Sequence, residues 1–109
     1  MTNTEEESIF QKIVEKKVPA DLIYEDDKVV VIEDKYPKAP VHLLVLPKKH
    51  IPTMKEVSEQ DQELVGHMIF VAKRMAEKYK CEGYRLQFNV GPKGGQVIFH
   101  LHLHLMGWK

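Results

Sequence analysis

From position 100 to position 105 histidine and leucine alternate without a break, as His100-Leu101-His102-Leu103-His104-Leu105. A two-residue period belongs to an extended strand with two unlike faces. It predicts that Leu101, Leu103 and Leu105 pack into a core while His100, His102 and His104 point together to the other side. Half of the chain's six histidines fall within these residues. A strand has no structural need of three imidazoles, so this face is read as chemical. Imidazole titrates near neutrality, donates at one ring nitrogen while accepting at the other, and is a usable nucleophile. Alternate residues on a strand lie about 6.6 Å apart, so neighbouring rings can converge on one substrate group, one attacking while another donates a proton. Zinc is the rival. Its bonds to nitrogen are only about 2.0–2.1 Å long, and three rings along roughly 13 Å of strand would need a bulge to share one ion.

The rest of the chain supplies the elements on which such a strand can rest. Thr4 with Glu7 matches a capping box, and Ile9, Phe10, Ile13 and Val14 recur at helical spacing as far as Lys17, before Pro19. Residues 22–25 and 29–33 read as strands hinged at Asp26-Asp27-Lys28. After a loop bracketed by Pro37 and Pro40, residues 41–46 form an apolar strand ended by Pro47, with His42 inside it. The longest element starts at Ser58 and reaches about Lys80, one face marked by Leu64, Val65, Met68, Ile69, Ala72, Met75, Ala76 and Tyr79. His67 sits beside that stripe and is expected to be structural or exposed. Tyr84, Leu86, Phe88 and Val90 alternate with Arg85, Gln87 and Asn89, a strand pattern over 84–90 that runs into the glycine-containing loop 91–96. The order is helix, three strands, long helix, two strands. Short connections favour an antiparallel arrangement, so an α+β domain with a five-stranded antiparallel sheet is expected.

Length and charge narrow the function. A chain of 109 residues is expected to form one domain, 1–109, large enough for a core without disulfides or metal. Sixteen basic and sixteen acidic residues balance, which removes the electrostatic footprint of a duplex nucleic-acid binder. Cys81 is the only cysteine, so no disulfide framework or cysteine-based zinc motif is expected. No apolar run approaches a membrane span and the N-terminus is acidic, so the expectation is a cytoplasmic protein with no membrane partner, the nucleus also being open to it.

The alternating histidines are joined by Tyr24-Glu25-Asp26-Asp27, Ala39-Pro40-Val41-His42, Val45-Leu46-Pro47-Lys48-Lys49-His50 and Gly94-Gly95-Gln96. With these the chain resembles the histidine-triad family, in its branch of small nucleotide-binding proteins, from about Ile9 to Met106. The resemblance implies a homodimer whose two sheets join into one, and a purine-nucleotide pocket on each subunit; no cofactor is expected, and no metal, because neither the lone cysteine nor the strand geometry supplies a closed zinc site. It implies that His102 attacks the α-phosphorus to form a nucleotidyl-histidine, that His104 helps protonate the leaving group, that His100 orients His102 through its backbone carbonyl, and that His42 supports the cluster from the next strand. Asp34 matches a ribose-binding acid, although it also suits the start of a turn before Pro37. Ile9, Phe10, Ile13, Ile32 and Leu44 match apolar positions around the base, and pattern alone would place all five in a core. Asn89, Gly95, Gln96 and Val97 match positions beside the phosphate or the leaving group. The reaction implied is hydrolysis of purine nucleoside 5′-phosphoramidates, with adenosine 5′-monophosphoramidate as the type; cleavage of dinucleoside polyphosphates and a nucleotide-binding adaptor role are the alternatives.

Four departures from the family pattern carry expectations of their own. Ser8-Ile9-Phe10-Gln11 stands where many relatives have Cys-Ile-Phe-Cys, so a structural zinc is not expected there. Lys35 replaces a hydrophobic residue beside the base, and Val97 replaces a serine near the leaving group. The sequence stops at Lys109, where relatives often continue into a tail, so looser or different selectivity is expected. Lys48-Lys49-His50 reads as a solvated basic corner, and His50 is given no part in the chemistry.

Overall fold

A computed structural model describes residues 8–109. Helix α1 (Ile9–Val14) is followed by strands β1 (Tyr24–Glu25), β2 (Val29–Glu33) and β3 (Val41–Pro47), helix α2 (Gln62–Lys78), and strands β4 (Gly83–Gln87) and β5 (Leu103–Trp108). The five strands form one sheet in the order β1-β2-β3-β5-β4, with every neighbouring pair antiparallel. This is the α+β arrangement expected from the sequence.

The sheet is covered on both faces, and the parity of the residues says which helix covers which. Val29, Val31, Val41, Leu43, Val45, Leu101, Leu103 and Leu105 share a core with Met68, Val71, Ala72, Met75 and Ala76 of α2. The even-numbered Val30, Ile32, Leu44 and Leu46 pack instead with Phe10, Ile13 and Val14 of α1. Double coverage explains why β2 and β3 are apolar at successive positions rather than alternating. It also sets the side on which His42, His102 and His104 emerge. They share the parity of Leu44 and fall on the α1 face.

Local chemistry fixes the ends of these elements. The Thr4–Glu7 box lies outside the described residues; Ser8 caps α1, its Oγ accepting from the Gln11 N–H at 3.0 Å. The helix stops at Val14 and not at Lys17. Lys16 turns left-handed (φ 61°), Lys16 N–H donates to the Ile13 carbonyl, and Lys17 N–H closes on the Lys12 carbonyl, a left-handed C-terminal cap. Ser58 and Asp61 do form a capping box, but around a 3₁₀ turn (Glu59–Asp61), so α2 proper begins at Gln62. Ile69 turns out to be exposed beside Phe70, off the buried stripe. At the β1–β2 hairpin, Asp26 Oδ1 accepts the N–H groups of Lys28 and Val29, both at 2.8 Å, while Oδ2 takes the Tyr24 hydroxyl at 2.9 Å and His67 Nε2 at 2.6 Å. His67 is thus a structural tie between α2 and the hairpin, as the sequence suggested.

β1 is shorter than the expected 22–25, and two further strand expectations fail for one reason. β4 ends at Gln87 instead of continuing to Val90, and β5 begins at Leu103, so His100 and His102 precede the ladder. Gln87 pairs with His104. Beyond that pair only Leu103 of β5 remains, and before it residues 98–100 form a bend and 101–102 lie outside the ladder. The short stretch before Leu103 keeps Leu101 in the core but does not hold all three imidazoles on one strand face.

Candidate active site

A cleft of about 1080 Å³ opens on the α1 face of the sheet, and His42, His102 and His104 line it. His42 and His104 are held on adjacent strands, where His104 pairs with Leu44 and His42 with Met106. His102 enters just before β5, its ring centroid 5.1 Å from that of His104 and edge-on to Phe10 at 5.0 Å.

Backbone groups decide the proton on each ring. Nδ1 of His102 lies 2.7 Å from the carbonyl oxygen of His100. A carbonyl only accepts, so Nδ1 carries the proton and Nε2 keeps its lone pair. At His42 the assignment is reversed. The Lys38 N–H donates to His42 Nδ1 at 2.9 Å, leaving the proton on Nε2, which faces His104 Nδ1 at 3.0 Å and Asp34 Oδ2 at 3.2 Å. His104 Nδ1 therefore accepts, and its own proton sits on Nε2. Two imidazoles in contact across the cleft wall present opposite tautomers, one a lone pair and the other an N–H.

Burial keeps the cluster uncharged. Desolvation pushes His104 down to about 4, helped by neighbouring His102 and His42 and opposed by the Asp34 carboxylate. His42 and His102 are lowered for the same first reason. A neutral His102 with a free lone pair is the form that can attack an electrophile.

Asp34, His42 and His104 also bring three ligand atoms within 4.8 Å of one another. A metal bound by His42 Nε2 would need the lone pair there and the proton on Nδ1, against the Lys38 N–H that already points at Nδ1. The donor set suits a hydrogen-bonded cluster better than an ion.

The other anticipated residues divide. Ile9, Phe10, Ile13, Ile32 and Leu44 all line the cleft, and four of them, Ile9 excepted, also belong to the α1-side core, so pocket floor and core are the same surface. Asp34 lines the cleft and caps a turn at once, Oδ1 taking the Tyr36 N–H at 2.8 Å while Oδ2 faces His42. Asn89, Gly95 and Val97 are on the cleft. Asn89 Oδ1 accepts from Gln87 at 2.7 Å, and Gly95 is left-handed (φ 91°), a backbone conformation in which any side chain would be strained. Gln96 is a correction. Its side chain is buried and fully engaged, accepting the Gly91 N–H and donating to the carbonyls of Pro52 and Ile98, so it braces the loop and does not line the cleft. His100 brings its carbonyl oxygen to the site, 2.7 Å from His102 Nδ1; what is corrected is the direction of its ring, which is wholly buried outside the cleft lining and turned toward Pro47 and His50 instead of sharing a face with His102 and His104.

Sequence reasoning missed Gln87 and Lys38. The alternation of Gln87 with Leu86 and Phe88 placed it beside Asn89 on a polar face and was a usable signal. Lys38 acts on His42 through its backbone, which leaves no mark in the sequence.

An antiparallel sheet between two helices, with imidazoles of opposite tautomer over an apolar cleft, defines an α+β protein with a histidine-lined site. Residues 7–109 match the family described as scavenger mRNA decapping enzyme C-term binding. The chain is 45% identical to an uncharacterized HIT-like protein of Synechococcus elongatus, covering 94% of this chain and 90% of that one. It is 42% identical to the purine nucleoside phosphoramidase of Escherichia coli K12, over 94% and 87% of the two chains. Its structure superposes on that of a HIT family hydrolase from Legionella pneumophila with a TM-score of 0.88 at 42% identity, over 93% and 92% of the chains. The chain belongs to the histidine-triad family.

Proposed function

We propose that the protein hydrolyses purine nucleoside 5′-phosphoramidates to the nucleoside 5′-monophosphate and an amine, through a nucleotidyl intermediate on His102. The observation that carries this reading is the 2.7 Å bond from His102 Nδ1–H to the His100 carbonyl, which leaves Nε2 as a lone pair in the cleft. The Escherichia coli relative's activity as a purine nucleoside phosphoramidase supports the same bond type. In the first step Nε2 of His102 forms a bond to the α-phosphorus as the P–N bond breaks. The leaving nitrogen needs a proton. His104 is neutral in the free protein, but an anionic phosphoryl group beside it favours its charged form; the proton taken up with substrate passes to the amine. Water then attacks phosphorus, gives its proton to His104, and releases His102. The apolar residues from Ile9 to Leu44 suit the faces of a purine, and Asp34 suits ribose hydroxyls.

Each displacement inverts phosphorus, so the product should show net retention. A phosphoramidate chiral at phosphorus, hydrolysed in isotopically labelled water, tests this. Inversion would overturn the covalent intermediate.

Cleavage of dinucleoside polyphosphates is the second reading, favoured by Lys35 and Lys38 on the cleft, whose ammonium groups suit additional phosphates. Comparing turnover of the two substrate types by one preparation separates the readings.

The proposal includes a homodimer in the cytoplasm, each subunit a single domain. All of β4 is exposed, with Tyr84, Leu86 and neighbouring Trp108 more than a third accessible. An open edge strand of this kind is protected by pairing about a two-fold axis. Sedimentation at micromolar concentration should give about twice the monomer mass.

A further inference from the structure

His50 lies outside the cleft, and the chemistry proposed above makes no use of it. Its Nδ1 is 3.2 Å from Nδ1 of His100, the two rings tilted at 42° with centroids 5.3 Å apart. Nε2 of His100 is 2.8 Å from the Pro47 carbonyl oxygen, so that nitrogen must carry the proton. Burial holds His100 neutral, its pKa lowered to about 4, and a neutral imidazole has a single N–H. Nδ1 of His100 is thus an acceptor, and the proton between the two rings belongs to His50.

The direction of every bond follows. His50 Nδ1–H donates to His100 Nδ1, His100 Nε2–H donates to the Pro47 carbonyl, and His102 Nδ1–H donates to the His100 carbonyl. That last carbonyl belongs to a stretch with no strand pairing of its own. Its anchors are the two ring bonds of His100 and the bond from Leu101 N–H to the Ile51 carbonyl at 2.7 Å. All three anchors come from residues 47–51, the end of β3 and the turn after it.

We propose that His50 is a positioning residue: by donating to His100 it fixes that ring, which holds the His100 carbonyl on the Nδ1–H of His102 and so keeps the nucleophilic lone pair on Nε2 in the cleft. The proposal rests on the reading of His102 as nucleophile. A role in packing alone would depend on the shape of the His50 ring and not on its N–H. The two are separable, because asparagine places an N–H donor near the position of Nδ1 while phenylalanine keeps a ring and has none.

His50→Asn and His50→Phe are compared with the wild type by steady-state turnover of adenosine 5′-phosphoramidate, by long-range ¹H–¹⁵N spectra that report imidazole tautomers, and by thermal unfolding. His50 is exposed, so both variants should fold. Outer partners that orient metal-ligating imidazoles typically change activity by about ten- to a hundredfold, and the same scale is taken for an oriented nucleophile. His50→Phe should therefore lose kcat by at least about tenfold with KM nearly unchanged, and its His102 should leave the pure Nδ1–H form. His50→Asn should return most of kcat and the wild-type tautomers of His100 and His102. Equal activity in the two variants, a change confined to KM, or an undisturbed His102 tautomer in His50→Phe would overturn the proposal. If the phenylalanine variant does not fold, His50→Ala takes its place with the same outcomes. Should the wild type itself not turn over the phosphoramidate, the functional reading falls, while the tautomer spectra still decide the role of His50.

Discussion

Folding leaves His100 and His104 neutral in places where the unfolded chain would protonate them, and this makes the protein acid-sensitive in a defined window. Each falls from an ordinary value of 6.5 to about 4 on burial. Between those values the unfolded state binds more protons than the folded state, so stability is complete above pH 6.5 and declines as pH falls toward 4. Fully developed, each histidine costs about 3 kcal/mol, and at pH 5 each costs about 2 kcal/mol. The two rings sit in separate hydrogen-bond networks, one with Pro47 and His50, the other with His42 and Asp34. Their effects should add to about 4 kcal/mol at pH 5, a large part of the 5–15 kcal/mol typical of a domain. His42 and His102 shift in the same direction and deepen the loss. The carboxylates Glu25, Asp26 and Asp61 are lowered from ordinary values of 4.5 for Glu25 and 3.8 for the two aspartates, so their contribution is lost only at lower pH than the range compared below. Urea unfolding at pH 7, 6 and 5, at one protein concentration, should show a falling midpoint with constant slope. Replacing His104 by Gln should remove its own share of the pH dependence, about 2 kcal/mol of the loss at pH 5. A midpoint unchanged from pH 7 to pH 5 would refute the assignment of neutral, buried imidazoles.

Three further outcomes follow from named contacts. His102→Ala should lose at least about 1000-fold in kcat, equivalent to about 4 kcal/mol, while calorimetry should show nucleoside monophosphate binding within a few-fold of wild type. Asp26→Ala should cost about 2–3 kcal/mol in urea unfolding, because two backbone N–H groups, the Tyr24 hydroxyl and His67 lose their acceptor; Asp26→Asn, which keeps one acceptor oxygen, should cost less. A Cβ at Gly107 would lie 2.4 Å from Cys81 Sγ and 3.2 Å from Cys81 Cβ, so Gly107→Ala should cost about 1–3 kcal/mol by overpacking, part of which Cys81→Ala in the same chain should restore.

The alternation from 100 to 105 disclosed a leucine core, and Leu101, Leu103 and Leu105 occupy it. It did not disclose where the strand starts, because a two-residue period is equally compatible with extended chain that has no partner. The same limit applies to 84–90. Phe88 and Val90 keep the alternation, yet the ladder stops where β5 stops. Residues 41–46 looked uniformly buried, and only the presence of α1 on the second face tells their odd and even members apart. The family resemblance, matched position by position, named His42, Asp34 and the apolar residues, and all of them line one cleft. It could not place Gln96, whose amide finds three backbone partners in its own loop and its neighbour, or His50, whose partner is fifty residues away.

Identical residue types at 102 and 104 would be expected to behave alike, yet the proposed chemistry requires them to differ. An imidazole that attacks must offer a lone pair, and one that assists the leaving group must offer an N–H. The difference comes from the backbone. His102 gives its Nδ1 proton to the His100 carbonyl, whereas His104 accepts at Nδ1 from a His42 whose own tautomer is set by the Lys38 N–H. Both controlling groups lie in irregular chain, at the loop before β3 and the bend before β5. A regular strand would have used that carbonyl and that N–H in its ladder. The failure of β5 to extend back to His100 is therefore part of the site, since it frees the His100 carbonyl to assign the proton on the residue proposed to attack.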